Sequence, residues 1–543
     1  MLVHMEVRYT STRNARVSTH IADAIVRGMP EDGGLFVPSR IPTLRPEARF
    51  ERNLTYADLA WLVMSPYFDW SEAELRPLIE KAYSASGERA NFSVPEIAPL
   101  IPAGSLERGE TGELPHGAAR VEATARDRGG EGAPLFLLEL FHGRTCAFKD
   151  IALSLLGDLL RTSLDKQGIR EPVLILTATS GDTGSAALAG LGGQPRINIA
   201  VIYPSEGTSE IQRLQMTSVP REGRFVTGLR GNFDDAQRAV KRIFQTAATS
   251  DSPFKGIRLS SANSINIGRL LPQIVYYVKA WRDLRFSGVI GPDENFDVVV
   301  PSGNFGDILA AKYAKLMGLP IRRLVCASNS NKILHDFFAT GVYDRRRDFS
   351  KTLSPSMDIL VSSNLERLIY HAQAEDSSAA ATRTAELMRE FETAGRFELE
   401  RAGRANLNDF SAGWADDSAT IAMIRHMWQE HAVLVDPHTA VACEVAHARW
   451  RASADRTAVP VVVAATASPF KFPIPCLSAL QGLSPAAFKA GEDLELARQL
   501  SAVTGKSMPK PIAALEHATV SHTEVAEEAT LVPMLAAFAR STP

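Results

Sequence analysis

The sequence is poor in the features that mark several protein classes. Its 543 residues hold only four cysteines, Cys146, Cys326, Cys443 and Cys476, far apart and with no CxxC pair. A disulfide framework or a structural zinc site is therefore not expected, and a reducing cytosol is the fitting compartment. There is no basic excess: the net charge is -3 and the pI near 6.5. Nonspecific nucleic-acid binding needs such an excess, so no nucleic-acid partner is expected, although a local anion site stays open. No run is long enough to span a membrane. The most apolar one, AVPVVVAATA at 458–467, has the length of a buried strand. The opening MLVHMEVRYTSTR has no apolar core, so a secretory signal is not expected. HExxH and GxSxG are missing, and neither main glycine loop matches GxxxxGK[ST] or GxGxxG. Zinc protease, serine hydrolase, nucleotide P-loop and dinucleotide fold thus have no positive support.

What is present is ordinary globular composition, 45% hydrophobic and 22% charged, over a length that suggests about three domains. Residues 1–95 read as a small, mainly helical N-terminal domain, with helical apolar spacing at 54–64 and 72–83. Residues 96–133, with RGETGEL and RDRGGEGAP, read as a loop, insertion and linker. From Pro134 the pattern alternates. PLFLLELF is strand-like, DIALSLLGDLLRTSL helical, PVLILTATSG a strand entering a glycine loop, and TGSAALAGLGG a helix of small residues. The theme recurs in INIAVIYPSEG, FDVVVPSGNFG and RRLVCASNSN. Such alternation predicts βα units on mostly parallel sheets. The expected fold is α/β, with two open α/β domains beside the helical one. The larger is 134–160 with 292–510, the smaller 161–291, and 511–543 is a helical tail.

Chemistry concentrates in one lysine and three polar loops. ELFHGRTCAFKDI places Lys149 between Phe148 and Asp150, after a small loop with Gly143 and Thr145. Ligands of open α/β sheets bind beyond the carboxyl ends of strands, where the loops fall. ATSGDTGSAA offers Ser180, Gly181, Asp182, Thr183 and Gly184, and PSGNFGD offers Gly303, Asn304, Phe305 and Gly306. Glycines let a backbone approach an anion whose charge helix-start N–H groups can meet; a plain capped turn is the alternative for each. SANSINIGR adds Asn263, Ser264, Asn266 and Arg269, more polarity than a helix entry needs. His142, Thr145, His335, Asp358 and His438 are weaker anchors, each equally open to a packing role. A lysine with two anion loops suggests pyridoxal 5'-phosphate (PLP). Its aldehyde needs an amine, its phosphate a donor nest, and its amino-acid substrate a carboxylate site. Burial would lower the cost of keeping that amine neutral.

At these residues the chain resembles the threonine synthase family, in its long bacterial and fungal branch. The segments are LFHGRTCAFKD, ATSGDTGSAA, YPSEG, GNFDDAQ, SANSINIGRLLPQIVYY, VPSGNFGDILA, SPSMDI with SSNLERL, and ATASPFKFP; the resemblance runs from about Tyr9 to Pro473. It implies a fold-type II PLP-dependent enzyme, tryptophan synthase beta-like. By resemblance, Lys149 is the catalytic, PLP-linked lysine. Ser180 to Gly184 hold the substrate carboxylate, with Asp182 near the cofactor's phenolic oxygen. Gly303, Asn304, Phe305 and Gly306 cradle the PLP phosphate, and Thr466 meets the pyridine nitrogen. Asn263, Ser264, Asn266, Arg269 and Lys471 surround the substrate phosphate, with Thr145 also near the substrate. The implied reaction converts O-phospho-L-homoserine and water to L-threonine and phosphate, in a cytoplasmic, monomeric enzyme with no membrane partner. The alternatives are a related phospho-lyase releasing 2-oxobutyrate, a β-replacement enzyme using O-phosphoserine, or a non-catalytic scaffold. The chain departs from the family pattern at Arg144, Cys146, Ile267 and Ser468, where relatives carry proline, an apolar residue, tryptophan and histidine.

Overall fold

The computed structural model describes residues 6–87, 90–106, 132–205, 208–231, 233–247, 249, 251–373, 376–452 and 458–541. Most of the segment read as an insertion, 107–131, lies outside them. The N-terminal part is helical as the spacing predicts, with helices Tyr56–Met64 and Glu72–Ala82. Each starts with a reciprocal capping box, Thr55 with Asp58 and Ser71 with Glu74. Such caps satisfy amides that the first helical turn leaves open.

Two sheets carry the rest. The larger has six strands in the order Phe410–Trp414, Ile321–Ser328, Phe296–Pro301, Val461–Ala465, Ala133–Glu139 and Leu100–Leu106. The first five run parallel, and the sixth pairs antiparallel at the edge. The smaller has five parallel strands in the order Val525–Ala526, Arg224–Leu229, Ile197–Pro204, Val173–Ala178 and Arg258–Ser261. Central strands are buried on both faces, as in VVVAA at Val461–Ala465. Continuous apolar runs of this kind belong to sheets covered by helices on both sides.

Two readings need correction. Leu100–Leu106, within the segment read as loop and linker, is an edge strand of the large sheet. Its LIPAGSL pattern hides this, because an antiparallel edge strand with proline and a register shift has no strict alternation. The C-terminal segment is not a free tail. Val525–Ala526 extends the small sheet, and Leu531, Leu535, Ala536 and Ala539 bury against that sheet's outer core. Strand order then decides where chemistry can occur. The neighbouring strands Phe296–Pro301, Val461–Ala465 and Ala133–Glu139 point their carboxyl ends toward the GNFG loop, Thr466 and Lys149. In the small sheet, Val173–Ala178 and its neighbour Arg258–Ser261 lead to the SGDTG loop and the SANSINIGR segment.

Candidate active site

Lys149 is the first residue of helix Lys149–Lys166. Three backbone ties seat this turn on the large sheet. The Phe148 amide donates to the Thr466 carbonyl at 2.8 Å, the Ser468 amide to the Cys146 carbonyl at 3.0 Å, and Ala147 bridges Ala467. The Thr145 amide and hydroxyl donate to the buried Asp150 at 2.9 and 2.7 Å. The Lys149 ammonium lies 3.5 Å from Asp182 Oδ2 and 4.7 Å from the Phe148 ring centre. Burial lowers its pKa below the ordinary lysine value, against the pull of Asp182 and with help from Lys471 and Arg269. An amine of this kind is easier to hold neutral, as nucleophilic and base chemistry requires.

Asp182 is the electrostatic hub. Its Oδ1 is 2.7 Å from Lys471 Nζ and accepts from the Gln212 carboxamide at 2.8 Å; its Oδ2 accepts from the Ser356 hydroxyl at 3.3 Å. Burial would raise its pKa, but Lys471 and Lys149 outweigh that and hold it well below the usual carboxylate range. It is therefore a fixed negative charge. Its loop is tied by Thr179, whose hydroxyl accepts from the Gly181 and Gly184 amides at 3.0 Å each. Gly181 has φ 148°, and a Cβ there would sit 2.5 Å from the Gln212 side chain. Ser180 and Thr183 are half-buried beside it.

The GNFG loop is built differently. Phe305 adopts a left-handed φ of 62°, buries its ring, and caps helix Gly306–Leu316. The ring stacks on Phe338 and Phe410 at 6.0 Å. A Cβ on Gly303 would meet only the Ser356 carbonyl, at 3.3 Å, and one on Gly306 nothing closer than 3.5 Å. The protein leaves that space open at a helix N-terminus, the geometry of a phosphate cradle. These features fit PLP: a largely enclosed amine, an open amide cradle, and a buried hydroxyl, Thr466, beyond the strand between them.

Arg269 is 4% exposed. One guanidinium nitrogen donates to the Ala262 carbonyl at 2.7 Å, and its Nε has no partner. Burial alone pulls its pKa down to about 10. A desolvated cation with no compensating carboxylate is costly unless an anion arrives.

Other predicted residues fall elsewhere. Asn266 caps helix Ile267–Phe286 by accepting from the Gly268 amide, and donates to the Ile25 carbonyl at 2.9 Å. Its side chain is thus engaged with backbone at both ends, leaving one carboxamide N–H for the phosphate role suggested for it. Lys471, fully buried, spends two of its three donors on Asp182 and the Thr145 carbonyl. It is a counter-ion of the loop before it is a phosphate ligand. Asn263 is exposed, and Ser264 is half-buried and donates to it at 3.1 Å. Arg144 is exposed, and one of its nitrogens donates to the Ala189 carbonyl at 3.3 Å. Ile267 and Ser468 are buried. His142 pairs with Glu139 at 2.8 Å.

Sequence reasoning assigned no role to the residues that join the loops. Asn364 donates to the Asn304 carbonyl at 2.8 Å and the Ser264 carbonyl at 3.3 Å. Arg367, fully buried, donates to Asn364, to the Ile265 carbonyl and to the Phe36 carbonyl. This pair stitches the GNFG loop, the SANSIN segment and the N-terminal domain together. Asp307 accepts from the Tyr276 and Tyr277 hydroxyls at 2.5 and 2.6 Å. Gln212 and Ser356 complete the set. Of these, Asn364 and Arg367 lie in SSNLERL, Ser356 in SPSMDI, and Asp307 in GNFGDILA, segments noted along the chain without a role for these residues.

Comparison with known proteins accords with this geometry. A protein-family model described as Threonine synthase N terminus matches residues 8–83. Threonine synthase of Eremothecium gossypii is 39% identical over 491 residues, covering 86% of this chain and 87% of that protein. Human threonine synthase-like 1 is 38% identical over 479 residues, covering 85% of this chain but 58% of that longer protein. The crystal structure of PLP-bound threonine synthase from Brucella melitensis superposes with a TM-score of 0.79 at 31% identity, over 98% of this chain and 100% of that one.

Proposed function

The chain belongs to the threonine synthase family, and from that premise we propose how its own residues perform the family reaction, the PLP-dependent conversion of O-phospho-L-homoserine and water to L-threonine and phosphate. The observation that carries the proposal is the Lys149 amine, 11% exposed, shifted toward neutrality and held against Asp182 of the SGDTG loop. When bound, PLP supplies an aldehyde for the substrate amine and a ring system that draws electrons from the α-carbon.

Around it each residue has a task. Lys149 takes the α-proton onto Nζ and returns a proton later, which its desolvated amine suits. Asp182, ionised at any working pH, stays a fixed charge that orients Lys149. The amides of Gly303 to Gly306 bind the cofactor phosphate, and Thr466 offers its hydroxyl to the ring nitrogen. The SGDTG loop, Ser180 to Gly184, receives the substrate carboxylate, with the half-buried Ser180 and Thr183 as its hydroxyl donors, while Thr145 and Thr179 brace the turns beside it. Arg269, with Asn263 and Ser264, holds the substrate phosphate; a guanidinium fork matches that group better than an ammonium would. A cytoplasmic, monomeric enzyme is part of the same reading, supported by four free, buried cysteines. Among the described residues no helix is long and apolar enough to cross a membrane.

A second reading is a phospho-lyase that uses the same residues and releases 2-oxobutyrate, since one lysine and the same glycine loops would serve both reactions. Turnover of O-phospho-L-homoserine by PLP-loaded protein in heavy-oxygen water separates the two. Threonine labelled at its β-hydroxyl, with equal phosphate, is the expected result. Phosphate with 2-oxobutyrate and no threonine would move the assignment to the lyase.

A further inference from the structure

The SPSMDI segment leads into the site from the side of the large sheet and holds a serine that the reading above leaves without a role. Ser356 sits in the short turn Pro355–Met357. Its hydroxyl donates to Asp182 Oδ2 at 3.3 Å, and its carbonyl lies where a Cβ on Gly303 would meet it at 3.3 Å. One residue thus bonds to the SGDTG loop and lies beside the GNFG loop. Its backbone amide donates to His438 Nε2 at 3.1 Å. Since Nε2 accepts, the ring proton belongs on Nδ1, which faces Asp436 Oδ2 at 2.5 Å.

Asp436 is fully buried and saturated. It also accepts from the His438 amide at 3.0 Å, the Thr439 amide at 3.2 Å and the Thr439 hydroxyl. The His438 ring is 2% exposed and packs edge-on against Phe472, the neighbour of Lys471, at 5.0 Å. The far side of the segment is fixed by Asp358, which accepts from Asn329, Asn331 and the Thr352 hydroxyl at 2.8, 3.0 and 2.7 Å. A buried histidine held in one tautomer by a carboxylate, with its other nitrogen spent on a single loop amide, is a device for placing that loop. The orienting logic is the one that fixes catalytic histidines, here turned on a backbone N–H.

We propose that Ser356 is a positioning residue for Asp182, and that the Asp436–His438 pair acts through it to set the Asp182 carboxylate against Lys149 and the cofactor. The inference rests on the PLP reading of the site. Its weight comes from distance: Asp182 Oδ2 takes the Ser356 bond and also faces Lys149 at 3.5 Å. Loss of the serine hydroxyl frees that oxygen to turn toward the other donors. A displacement of about 1 Å in such a group costs roughly 100-fold in rate.

The test uses PLP-loaded full-length protein and the variants Ser356→Ala, His438→Leu and His438→Gln. Glutamine places an amide oxygen where Nε2 accepts. Two quantities are read: the pH titration of the visible absorbance of bound PLP, and kcat and KM for O-phospho-L-homoserine. Ser356→Ala and His438→Leu should displace the titration midpoint in the same direction. They should lower kcat by about 10- to 100-fold, more than they change KM. His438→Gln should restore most of both. A Ser356→Ala protein that titrates and turns over like wild type overturns the proposal, whatever the histidine variants do. So does a His438→Gln protein that melts normally yet is as impaired as His438→Leu. Wild-type protein with no visible PLP band would instead overturn the cofactor reading itself, and this inference with it.

Discussion

The two glycine loops look alike on paper and are built on opposite principles. In the SGDTG loop the protein itself forbids side chains. A Cβ on Gly181 would lie 2.5 Å from Gln212, and one on Gly184 would lie 2.5 Å from Thr179. In the GNFG loop a Cβ on Gly306 would meet nothing closer than 3.5 Å, and one on Gly303 only the Ser356 carbonyl, at 3.3 Å. The first loop carries a charge, Asp182, wired to Lys471, Lys149, Gln212 and Ser356. The second offers backbone amides and open space. Glycine therefore means close packing in one loop and room for a ligand in the other.

The largest expected effect separates chemistry from both loops. Lys149→Ala should abolish turnover and the visible absorbance of bound PLP while leaving the melting curve near wild type; a variant that keeps wild-type activity would end the assignment. Arg269→Met should split function from stability. kcat/KM for the phosphorylated substrate should fall by about 100-fold or more, since a charged hydrogen-bond donor is lost. The ligand-free protein should melt higher, because a buried cation lacking a carboxylate has been removed. Unchanged kinetics would remove Arg269 from the phosphate site.

Asp182→Asn breaks the wiring of the first loop. It leaves Lys471 buried without its counter-ion, which should cost about 3–5 kcal/mol in urea unfolding; a loss under about 1 kcal/mol would show that the ion pair contributes only as a surface pair does. The glycines give the direct test. Gly181→Ala should lower the melting temperature of apoprotein, whereas Gly306→Ala should spare it and weaken PLP binding instead, measured by titrating apoprotein with PLP. Equal melting losses would erase the distinction between the loops.

The smallest effect concerns pH at the second loop. Burial pushes the Asp307 carboxyl up to about 6, despite the Tyr276 and Tyr277 hydroxyls. Its folded pKa thus exceeds its unfolded value, so the penalty for ionising it is absent at acid pH and complete above about 6. Asp307→Asn should raise the melting temperature near pH 7.5, with the gain shrinking toward about pH 4.5 as the wild-type carboxyl protonates. A gain that does not vary with pH would refute the assignment of that proton.

What could be read along the chain follows from local rules. Alternating strand and helix patterns revealed the two parallel sheets, because side-chain periodicity is set by the backbone itself. Lys149 and the glycine loops stood out because strand-to-loop-to-helix transitions have local signatures. The edge strand Leu100–Leu106 did not, since its pairing comes from Ala133–Glu139, well along the chain, and its pattern is irregular. Partnership was equally hidden. Asn266 also caps a helix and holds the Ile25 carbonyl, and Lys471 also pairs with Asp182, ties that the order of residues does not display. Arg367 joins Phe36, Ile265 and Asn364 across more than 300 residues of sequence, a contact no local pattern can encode. The sequence by itself determined which chemical groups this protein owns and which strand ends present them. The tertiary structure alone decided which of those groups are already spent on one another and which, like the Arg269 Nε, are buried with no partner among the described residues, because burial and distance set the energy of a charge and neither is a property of the chain's order.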